Sequence, residues 1–411
     1  MNNSSPSAAR KAALEVLRAL RDAGHDAYFA GGSVRDDVMG VTPKDFDITT
    51  SATPEEVTAL FERCVAVGAQ FGVIVVVHAS FEIEVATFRT ETGYADGRRP
   101  DQVQWATARE DVLRRDFTVN GLLGDPFAST PDGQVIDHVG GLKDIEARLI
   151  RAIGEATERF AEDQLRLLRA LRFAARLNFT IEEDTWFALR ALADTITSVS
   201  AERTRDELQR ILTEGGAKRG WALLRASDMM ERVLPEPQSA EAVEARLDDI
   251  PLTAERAWTA VLMDVAPAPN VVPEWGRRLR ISKALTRHVT HAVQLTHAML
   301  RYEELSVAQR KRLLRKAEFS TAFWAASQAA SAGQRPKEAL SLIERDASTW
   351  DDEGLNPPPL IDGATLRRLG YQPGPSFKVA LEAVEDGQLE GLITEESEAI
   401  ATATRILGPA P

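Results

Sequence analysis

Two glycines and two closely spaced aspartates lie within twenty residues near the start of the chain, in GGSVRDDVMGVTPKDFDITT, residues 31–50. On a strand, Asp45 and Asp47 would point to one side of the sheet while Phe46 would point into the core. Carboxylates held together repel each other, and Mg²⁺ prefers such oxygen ligands together with substrate phosphates. The spacing predicts a cation-binding strand, although a solvated, charged strand would show the same pattern.

The two glycines predict a phosphate-binding turn. The run AYFA reads as a short strand that ends at Gly31 and Gly32, and a helix is expected to begin near Ser33. Backbone N–H groups at such a turn can face a phosphate chain, and Arg35, one turn further on, can add a charged fork. A simple strand-to-helix turn is the alternative. Neither G-x-G-x-x-G nor G-K-[ST] is present, which excludes Rossmann and P-loop sites.

A third acid is available nearby. The runs GVIVVVHA and FEIEVATFR are rich in β-branched residues and separated by a short turn, so they are expected to form an antiparallel pair. Glu82 and Glu84 alternate with apolar residues and would share one face of their strand. Transfer of a nucleotide by two metal ions uses carboxylates from adjacent strands, about 3.5–4 Å being the usual metal spacing.

The rest of the chain is different in character. From about residue 141 the apolar spacing is helical, which predicts an α+β protein with a mixed-sheet head and an all-α remainder. A length of 411 residues suits two to four domains. No apolar run of about 18 residues is present, so no membrane association is expected. One cysteine, Cys64, excludes an internal disulfide and suits the cytoplasm.

A second candidate site lies in the first helical segment. Asp163 and Arg166 are three residues apart, which on a helix makes them neighbours and permits an ordinary salt bridge. The chemistry offers a sharper hypothesis. Cytosine and adenine both present an amino group beside an unprotonated ring nitrogen, which match an acceptor from Asp163 and a donor from Arg166. Uracil and guanine would leave polar groups unpaired, at about 1–3 kcal/mol each.

Several motifs, in order, resemble class II tRNA nucleotidyltransferases, the family of CCA-adding enzymes and bacterial poly(A) polymerases. The resemblance covers about residues 20–215. The motifs are GGSVRD, KDFDITTSATPEEV, EVATFR, RRDFTVNGL, DHVGGLKDI, EDQLRLLRALRFAARLNF and ERTRDELQRIL. The resemblance implies a DNA polymerase beta-like nucleotidyltransferase head followed by helical neck, body and tail. The expected divisions are residues 1–140, 141–215, 216–330 and 331–411.

The resemblance also implies roles for individual residues. Asp45, Asp47 and Glu84 would be the catalytic, metal-binding acids, with Mg²⁺ as cofactor. The nucleotide-binding residues would be Gly31, Gly32, Arg35, Arg115, Asp116, Asp163, Arg166, Arg169 and Arg172. The substrates would be CTP, ATP and the 3′ end of tRNA, with contacts to its acceptor and T arm. The oligomeric state stays open.

The subtype is predicted from two further segments. VGAQFG resembles the G-x-x-[FHY]-G form of CCA-adding enzymes, where poly(A) polymerases have a basic G-[RK]-[RK]-F. The segment between TFR and RRDF has full length, whereas enzymes that add only CC are shortened there. Addition of CCA is therefore the favoured prediction. Addition of the final A alone, poly(A) synthesis and a non-catalytic RNA-binding relative are the alternatives.

Charge along the chain indicates candidate surfaces for RNA. The net charge is −13, yet residues 271–316 hold eleven Lys or Arg against three Glu, while residues 381–404 hold seven acids and no base. Solvated helix faces are the alternative to phosphate contacts. The candidates for tRNA contacts are Arg277, Arg278, Arg280, Lys283, Arg310, Lys311, Arg312, Arg315 and Lys316. The nearby His288, His291 and His297 lack a His-Asp pair, so no metal-dependent phosphohydrolase is expected.

Overall fold

The structure is a computed structural model, and it describes residues 6–68, 72–92, 102–130, 134–234, 240–248, 250–263, 271–333 and 337–409. The VGAQFG motif and the segment between TFR and RRDF therefore lie partly outside the described residues. The chain forms two compact units. The first comprises Met1–Pro237 with Asp249–Pro251, and the second comprises Gln238–Asp248 with Leu252–Pro411.

The first unit begins with a mixed α/β region. Its elements are α1 Pro6–Asp22, β1 Ala27–Ala30, α2 Gly32–Val38, β2 Asp47–Thr50, α3 Pro54–Leu60, β3 Cys64–Gly68, β4 Val73–His78, β5 Phe81–Thr87, β6 Arg89–Thr92, β7 Gln102–Trp105, α4 Ala108–Leu113, β8 Leu122–Gly124 and β9 Val135–Asp137. Seven strands form a sheet in the order β3-β4-β5-β2-β1-β8-β9. The predicted antiparallel pairing of β4 with β5 is confirmed.

The position of β2 between β1 and β5 explains the location of the acids. β2 runs antiparallel to β1 and parallel to β5, with Ile48 opposite Val85. Alternation along β2 and β5 buries Ile48 and Val85 in a core shared with Leu17 of α1. That burial fixes the register, because a slip by one residue would turn every apolar side chain to the opposite face. The charged residues that alternate with this core therefore face away from it.

Helices make up most of the remainder of the first unit. Its further elements are α5 Gly141–Ala147, β10 Leu149–Ile150, α6 Ala156–Glu162, α7 Leu165–Leu177, β11 Thr180–Ile181, α8 Glu183–Ala191, α9 Ala201–Thr213, α10 Ala217–Ala226 and α11 Met230–Val233. Leu165, Leu168 and Leu171 of α7 are buried, as their spacing predicts. The first unit continues past residue 215, so it includes two helices of the predicted body. The four-part division of the chain stays a prediction.

The second unit is helical throughout its described residues. Its helices are α12 Ala240–Arg246, α13 Ala254–Leu262, α14 Val271–Arg278, α15 Lys283–Met299, α16 Val307–Leu314, α17 Phe319–Ser331, α18 Glu338–Thr349, α19 Asp352–Leu355, α20 Gly363–Arg368, α21 Pro375–Leu389 and α22 Glu396–Leu407. One apolar cluster includes Met299 and Ile343, and another includes Leu366 and Val384. The α+β class with a helical remainder is confirmed. In the described part of the chain, no helix has the length and hydropathy to cross a membrane.

Candidate nucleotide site

A cavity of about 900 Å³ lies in the first unit and collects most of the predicted site. Ten arginines and five acids line it, and this excess of positive charge would attract an anionic ligand. The predicted residues in the lining are Gly31, Gly32, Arg35, Asp45, Asp47, Arg115, Asp116, Asp163, Arg166, Arg169 and Arg172. Of the predicted nucleotide and metal residues, all of them described by the structure, only Glu84 is not part of the lining.

The two aspartates face the same way, although they are not both on a strand. β2 begins at Asp47, so Asp45 belongs to the segment before it, which corrects the prediction that a strand holds both. Asp45 and Asp47 are exposed while Phe46 is 6% exposed, so the predicted alternation is present. Phe46 packs against Phe29, with ring centroids 5.6 Å apart. This apolar contact holds the segment in an extended form without a strand partner for Asp45.

The carboxylates influence one another. Asp47 and Glu84 each precede the paired residues Ile48 and Val85 on neighbouring parallel strands. Removal of water, together with the charges of Glu84 and Asp45, raises the pKa of Asp47 to about 6, while the charge of Arg115 opposes this rise. Asp47 is open to the cavity, so a ligand can reach it. A cation there would stabilise the charged carboxylates, and the donor chemistry therefore fits Mg²⁺.

The predicted three-acid metal site is not assembled by side chains alone. Among the described residues, no group of three His, Cys, Asp or Glu side chains is arranged to hold a metal ion. Asp45 and Asp47 are the two acids of the predicted three that line the cavity, and Glu84 acts on Asp47 through its charge. Mg²⁺ commonly takes one or two carboxylates and completes its shell with water and substrate phosphates. The residues present fit that arrangement.

The glycine turn is more constrained than predicted. Gly31 has φ 67°, a conformation that favours glycine, and it lies at the N-cap position of α2. Its N–H donates to the carbonyl of Leu122 at 3.2 Å, so that group belongs to the sheet and is not free for a phosphate. A Cβ on Gly31 would lie 3.4 Å from Nη1 of Arg115. The glycine thus lets Arg115 approach the turn.

Arg35 is held in place inside the protein. Its side chain is buried, and Nε and Nη2 donate to Oδ1 of Asp36 at 2.9 and 2.6 Å. Nη1 donates to Oδ1 of Asn120 at 2.6 Å. Asn120 in turn donates to Asp116 at 3.2 Å. Arg35 reaches the cavity through this network, which fixes the orientation of its guanidinium.

The two arginines of the segment RRDF are held by a buried acid that sequence reasoning missed. Asp111 is fully buried and accepts from Arg114 at 2.5 Å and from Arg115 at 2.9 Å. Burial raises the pKa of Asp111, but the charges of Arg115 and Arg114 outweigh it and lower the pKa overall. The available signal was the spacing, because Asp111 in α4 precedes Arg114 and Arg115, which directly follow the helix, by three and four residues.

Asp116 connects the sheet region to helix α7. Its Oδ2 accepts from Nε and Nη2 of Arg169 at 2.8 and 2.6 Å. Burial opposes ionisation, yet the charge and hydrogen bonds of Arg169 lower the pKa of Asp116 to about 2. The Asp116–Arg169 pair therefore stays ionised across the physiological range. The predicted contact of Asp116 with a ribose stays a prediction.

Asp163 and Arg166 both line the cavity but are not on one helix. α6 ends at Glu162 and α7 begins at Leu165, so Asp163 lies in the turn between them, which corrects the helical prediction. The Asp163 carboxylate accepts from Nη2 of Arg203 at 2.8 Å. Arg166 donates to Glu162 at 2.6 Å and to the carbonyls of Arg159 and Arg114. Each side chain has its own support, instead of the salt bridge that the alternative assumed.

The remaining wall is rich in arginine. The ring of Phe173 lies under Arg172, Arg169 and Arg35, at 4.3, 5.4 and 5.6 Å from the ring centroid. Arg172 pairs with Glu207 at 2.8 Å and with Glu214 at 3.1 Å. Glu162, Arg203, Glu207 and Glu214 had no predicted role. Arg203, Glu207 and Glu214 have partners about forty positions away in sequence, which spacing could not reveal. Glu162 pairs with Arg159 and Arg166 at helical spacing, so a signal for it was present.

The two basic stretches of the second unit differ. Arg277, Arg278, Arg280, Lys283 and Lys316 are exposed. Arg312 pairs with Glu385 and Asp386, Arg315 pairs with Glu385, and Lys311 donates to the Leu389 carbonyl. Arg310 donates to the carbonyls of Tyr302 and Glu303. These intramolecular partners argue against the predicted phosphate contacts of Arg310, Lys311, Arg312 and Arg315.

The three histidines near these stretches have separate partners. His288 contacts Thr321 at 3.1 Å, His291 contacts Glu318 at 3.2 Å, and His297 contacts the Met263 carbonyl at 2.9 Å. Each imidazole thus has a structural partner of a different kind.

Comparisons with known proteins identify the family of the chain. The model of the Poly A polymerase head domain matches residues 27–151, and that of the probable RNA and SrmB-binding site of polymerase A matches residues 178–241. A CCA-adding enzyme of Lactobacillus johnsonii is 34% identical over 397 residues, 95% of each chain. A CCA-adding enzyme of Streptococcus agalactiae is 34% identical over 398 residues, 94% of each chain.

Solved structures show the same fold. The Bacillus stearothermophilus CCA-adding enzyme in complex with CTP superposes with a TM-score of 0.79, at 27% identity and with 98% of each chain covered. The Thermotoga maritima CCA-adding enzyme complexed with tRNA-CCA superposes with a TM-score of 0.66 at 20% identity, covering 96% of this chain and 94% of the other.

Proposed function

Because the chain belongs to the family of CCA-adding enzymes, we propose that it adds C, C and A to the 3′ end of tRNA from CTP and ATP, with release of pyrophosphate. The observation that carries this proposal is that one cavity contains both acids of the Asp45–Phe46–Asp47 segment and both members of the Asp163 and Arg166 pair. A nucleotide bound there would have its phosphates near the acids and its base near the pair.

We propose Mg²⁺ as the metal, held by Asp45 and Asp47. When bound, it would offset the triphosphate charge and activate the 3′-hydroxyl of the RNA. The protein's own contribution is positional. Arg115 lies near Gly31, and its positive charge favours the ionised form of Asp47, so Arg115 lies between the glycine turn and the acids. The raised pKa of Asp47 means that protonation competes with cation binding below about pH 6.

Base selection follows from the fixed polarity of two side chains. Asp163 can accept from the amino group of cytosine or adenine, and Arg166 can donate to the adjacent ring nitrogen. Glu162 and Arg203 hold these side chains in place, which limits the reorganisation needed when a base arrives. Uracil and guanine would leave groups unpaired, at a cost of about 1–3 kcal/mol each. No nucleic-acid template is needed for such a choice.

We propose that the exposed residues Arg277, Arg278, Arg280 and Lys283 contact tRNA phosphates, with the acceptor and T arm as the expected region of tRNA. All four are exposed in the second unit, where a nucleic acid can reach them. A cytoplasmic location would accompany this function, since tRNA is processed there and the single Cys64 suits a reducing compartment.

The test is incorporation into three tRNAs, ending before CCA, after the first C and after the second C. Each is incubated with CTP, ATP, UTP or GTP alone. We expect C on the first two substrates, A on the third, and no U or G. Addition of A to the third substrate alone would support the A-adding alternative, and long A tails would support a poly(A) polymerase. The double variant Asp45→Ala with Asp47→Ala should bind RNA and incorporate nothing.

A further inference from the structure

Three arginines gather around one carboxylate at one part of the cavity wall. Oε2 of Glu214 lies 3.1 Å from Nη1 of Arg172 and 3.6 Å from Nη1 of Arg176, and Oε1 lies 4.0 Å from Nε of Arg210. Arg172, Arg176, Arg210 and Glu214 all line the cavity. We call these four residues the Glu214 cluster.

Two arginines of the Glu214 cluster are loosely held. Both ion pairs of Arg176 are longer than a hydrogen bond, at 3.6 Å to Glu214 and 3.7 Å to Asp36. Arg210 is at 3.9 Å from Glu207 and 4.0 Å from Glu214. Charge-assisted N–H···O bonds are usually about 2.7–2.9 Å long. Arg176 and Arg210 therefore keep hydrogen-bonding capacity that a small anion in the cavity could use.

The place of Arg176 indicates which end of a nucleotide would reach it. Arg176 follows Arg166 by ten residues on α7, about 15 Å along the helix axis. It lies beside Asp36, whose other oxygen holds Arg35. Asp36 belongs to α2, the helix that begins at the glycine turn. The Glu214 cluster is therefore distant from the base-reading end and close to the phosphate side.

We propose that Arg176 and Arg210 bind the terminal phosphates of the incoming nucleotide and the pyrophosphate that leaves, and that Glu214 is an internal anion which phosphate displaces. A phosphate group carries more charge than a carboxylate and offers three acceptor oxygens, so it can replace the loose contacts that Glu214 makes with shorter ones. The identity of the ligand rests on the proposed function, whereas the anion site rests on the geometry alone.

The test measures dissociation constants of pyrophosphate, CTP and CMP by calorimetry on the full chain with MgCl₂. Arg176→Gln and Arg210→Gln should each weaken the binding of pyrophosphate and of CTP at least fivefold. The dissociation constant of CMP, which lacks the terminal phosphates, should change less than twofold. Glu214→Gln should strengthen the binding of pyrophosphate at least threefold, because it removes the competing negative charge. Arg190→Gln is the matched control, since Arg190 is an exposed arginine of the first unit paired with Asp228.

The arginine variants should lose pyrophosphate affinity and the glutamate variant should gain it. These opposite changes distinguish the proposal from a loss of folding, which would weaken binding in all three variants. Pyrophosphate constants within twofold of the unchanged protein in both arginine variants would overturn it. Equal weakening of CMP and CTP would overturn it too, as would weaker pyrophosphate binding by Glu214→Gln. The affinity for tRNA is measured in the same variants. A loss of tRNA affinity with unchanged pyrophosphate binding would assign the Glu214 cluster to RNA binding and overturn the proposal. Since no incorporation is measured, failure of the proposed function would not imitate any of these results.

Discussion

The cavity of the first unit and helix α16 of the second unit are both rich in basic residues, yet they use them differently. In the cavity, ten arginines face five acids around about 900 Å³ of open space. Next to and within α16, Arg315 and Arg312 are paired with Glu385 of α21, and Lys311 is bonded to the Leu389 carbonyl. The same kind of residue lines an open cavity in one region and joins two helices in the other.

The difference shows what a basic run in a sequence can predict. The acidic stretch at residues 381–404 contains Glu385 and Asp386, which are the partners of Arg312. The segregation of charge along the chain therefore reflects an intramolecular pairing for these residues. Arg277 and Arg278 are exposed and remain candidates for RNA contacts.

The largest expected effect concerns the cavity. Replacing Asp45 and Asp47 together by Asn should lower incorporation about a thousandfold, equivalent to about 4 kcal/mol, because the cation loses its protein ligands. Affinity for tRNA should stay within twofold. Asp37→Asn is the control, as Asp37 lies on nearby α2 and lines a separate cavity of about 400 Å³. Near-normal incorporation by the double variant would show that Asp45 and Asp47 are not needed for catalysis, and the cavity would then be only a structural cluster of charges.

The next effect concerns base choice. Asp163→Asn should lower the preference for CTP over UTP about tenfold to a hundredfold, since one unpaired polar group costs about 1–3 kcal/mol. The measurement is the ratio of kcat/KM for the two nucleotides. Gln164→Ala is the matched control, because the Gln164 side chain bonds the Ala161 carbonyl. An unchanged ratio in Asp163→Asn would remove this residue from base selection.

A third prediction separates the two basic stretches of the second unit. Changing Arg277 and Arg278 to Gln should reduce the slope of log Kd for tRNA against log salt by about 1 for each phosphate interaction removed. Changing Arg312 and Arg315 to Gln should leave the slope unchanged and lower the free energy of unfolding by less than about 1 kcal/mol per pair, since these pairs are partly exposed. The reverse pattern would make α16 the RNA-binding helix.

The smallest effect is a pH-dependent change in stability. The pKa of Asp47 is raised from 3.8 to about 6 in the folded protein, so the folded state binds this proton more tightly than the unfolded state. Stability from this group is therefore present at low pH and is lost as pH rises from about 4 through about 6.

Thermal unfolding with EDTA checks this linkage. Asp47→Asn should raise Tm above that of the unchanged protein at pH 7.5, and the gain should shrink at pH 4.5, where Asp47 is protonated in the folded state. Added MgCl₂ should reduce the gain in Tm at pH 7.5, because the cation binds Asp47 and so stabilises the unchanged protein more than the Asp47→Asn variant. A gain that is the same at both pH values would contradict the repulsion among Asp45, Asp47 and Glu84.

Local patterns in the sequence predicted the parts of the site that local forces determine. Alternation of apolar and polar residues located β5 and placed Glu84 on the face away from the core. The same rule gave the right orientation for Asp45 although it lies outside β2, because burial of Phe46 alone turns its neighbours outward. The resemblance to a known family contributed Arg115, Asp116, Arg169 and Arg172, which spacing alone would have left as surface charges.

The missed features depend on contacts between distant segments. Arg203 holds Asp163 across forty positions, and Arg176 lies near Asp36 across a still longer separation. No periodicity records such pairs, since they arise when elements that are distant in sequence pack together. The turn between α6 and α7 was missed for a different, local reason: the Asp163 carboxylate accepts from the Leu165 N–H at 3.1 Å, and this bond competes with helix continuation.

Whether the acids and the base-reading pair serve one nucleotide is tested most directly by a crystal structure with CTP and Mn²⁺, in which the anomalous signal of manganese locates the ion. We expect manganese at Asp45 and Asp47, the triphosphate beside it, and the cytosine edge paired with Asp163 and Arg166. Manganese bound elsewhere, or a cytosine that contacts neither Asp163 nor Arg166, would contradict this arrangement.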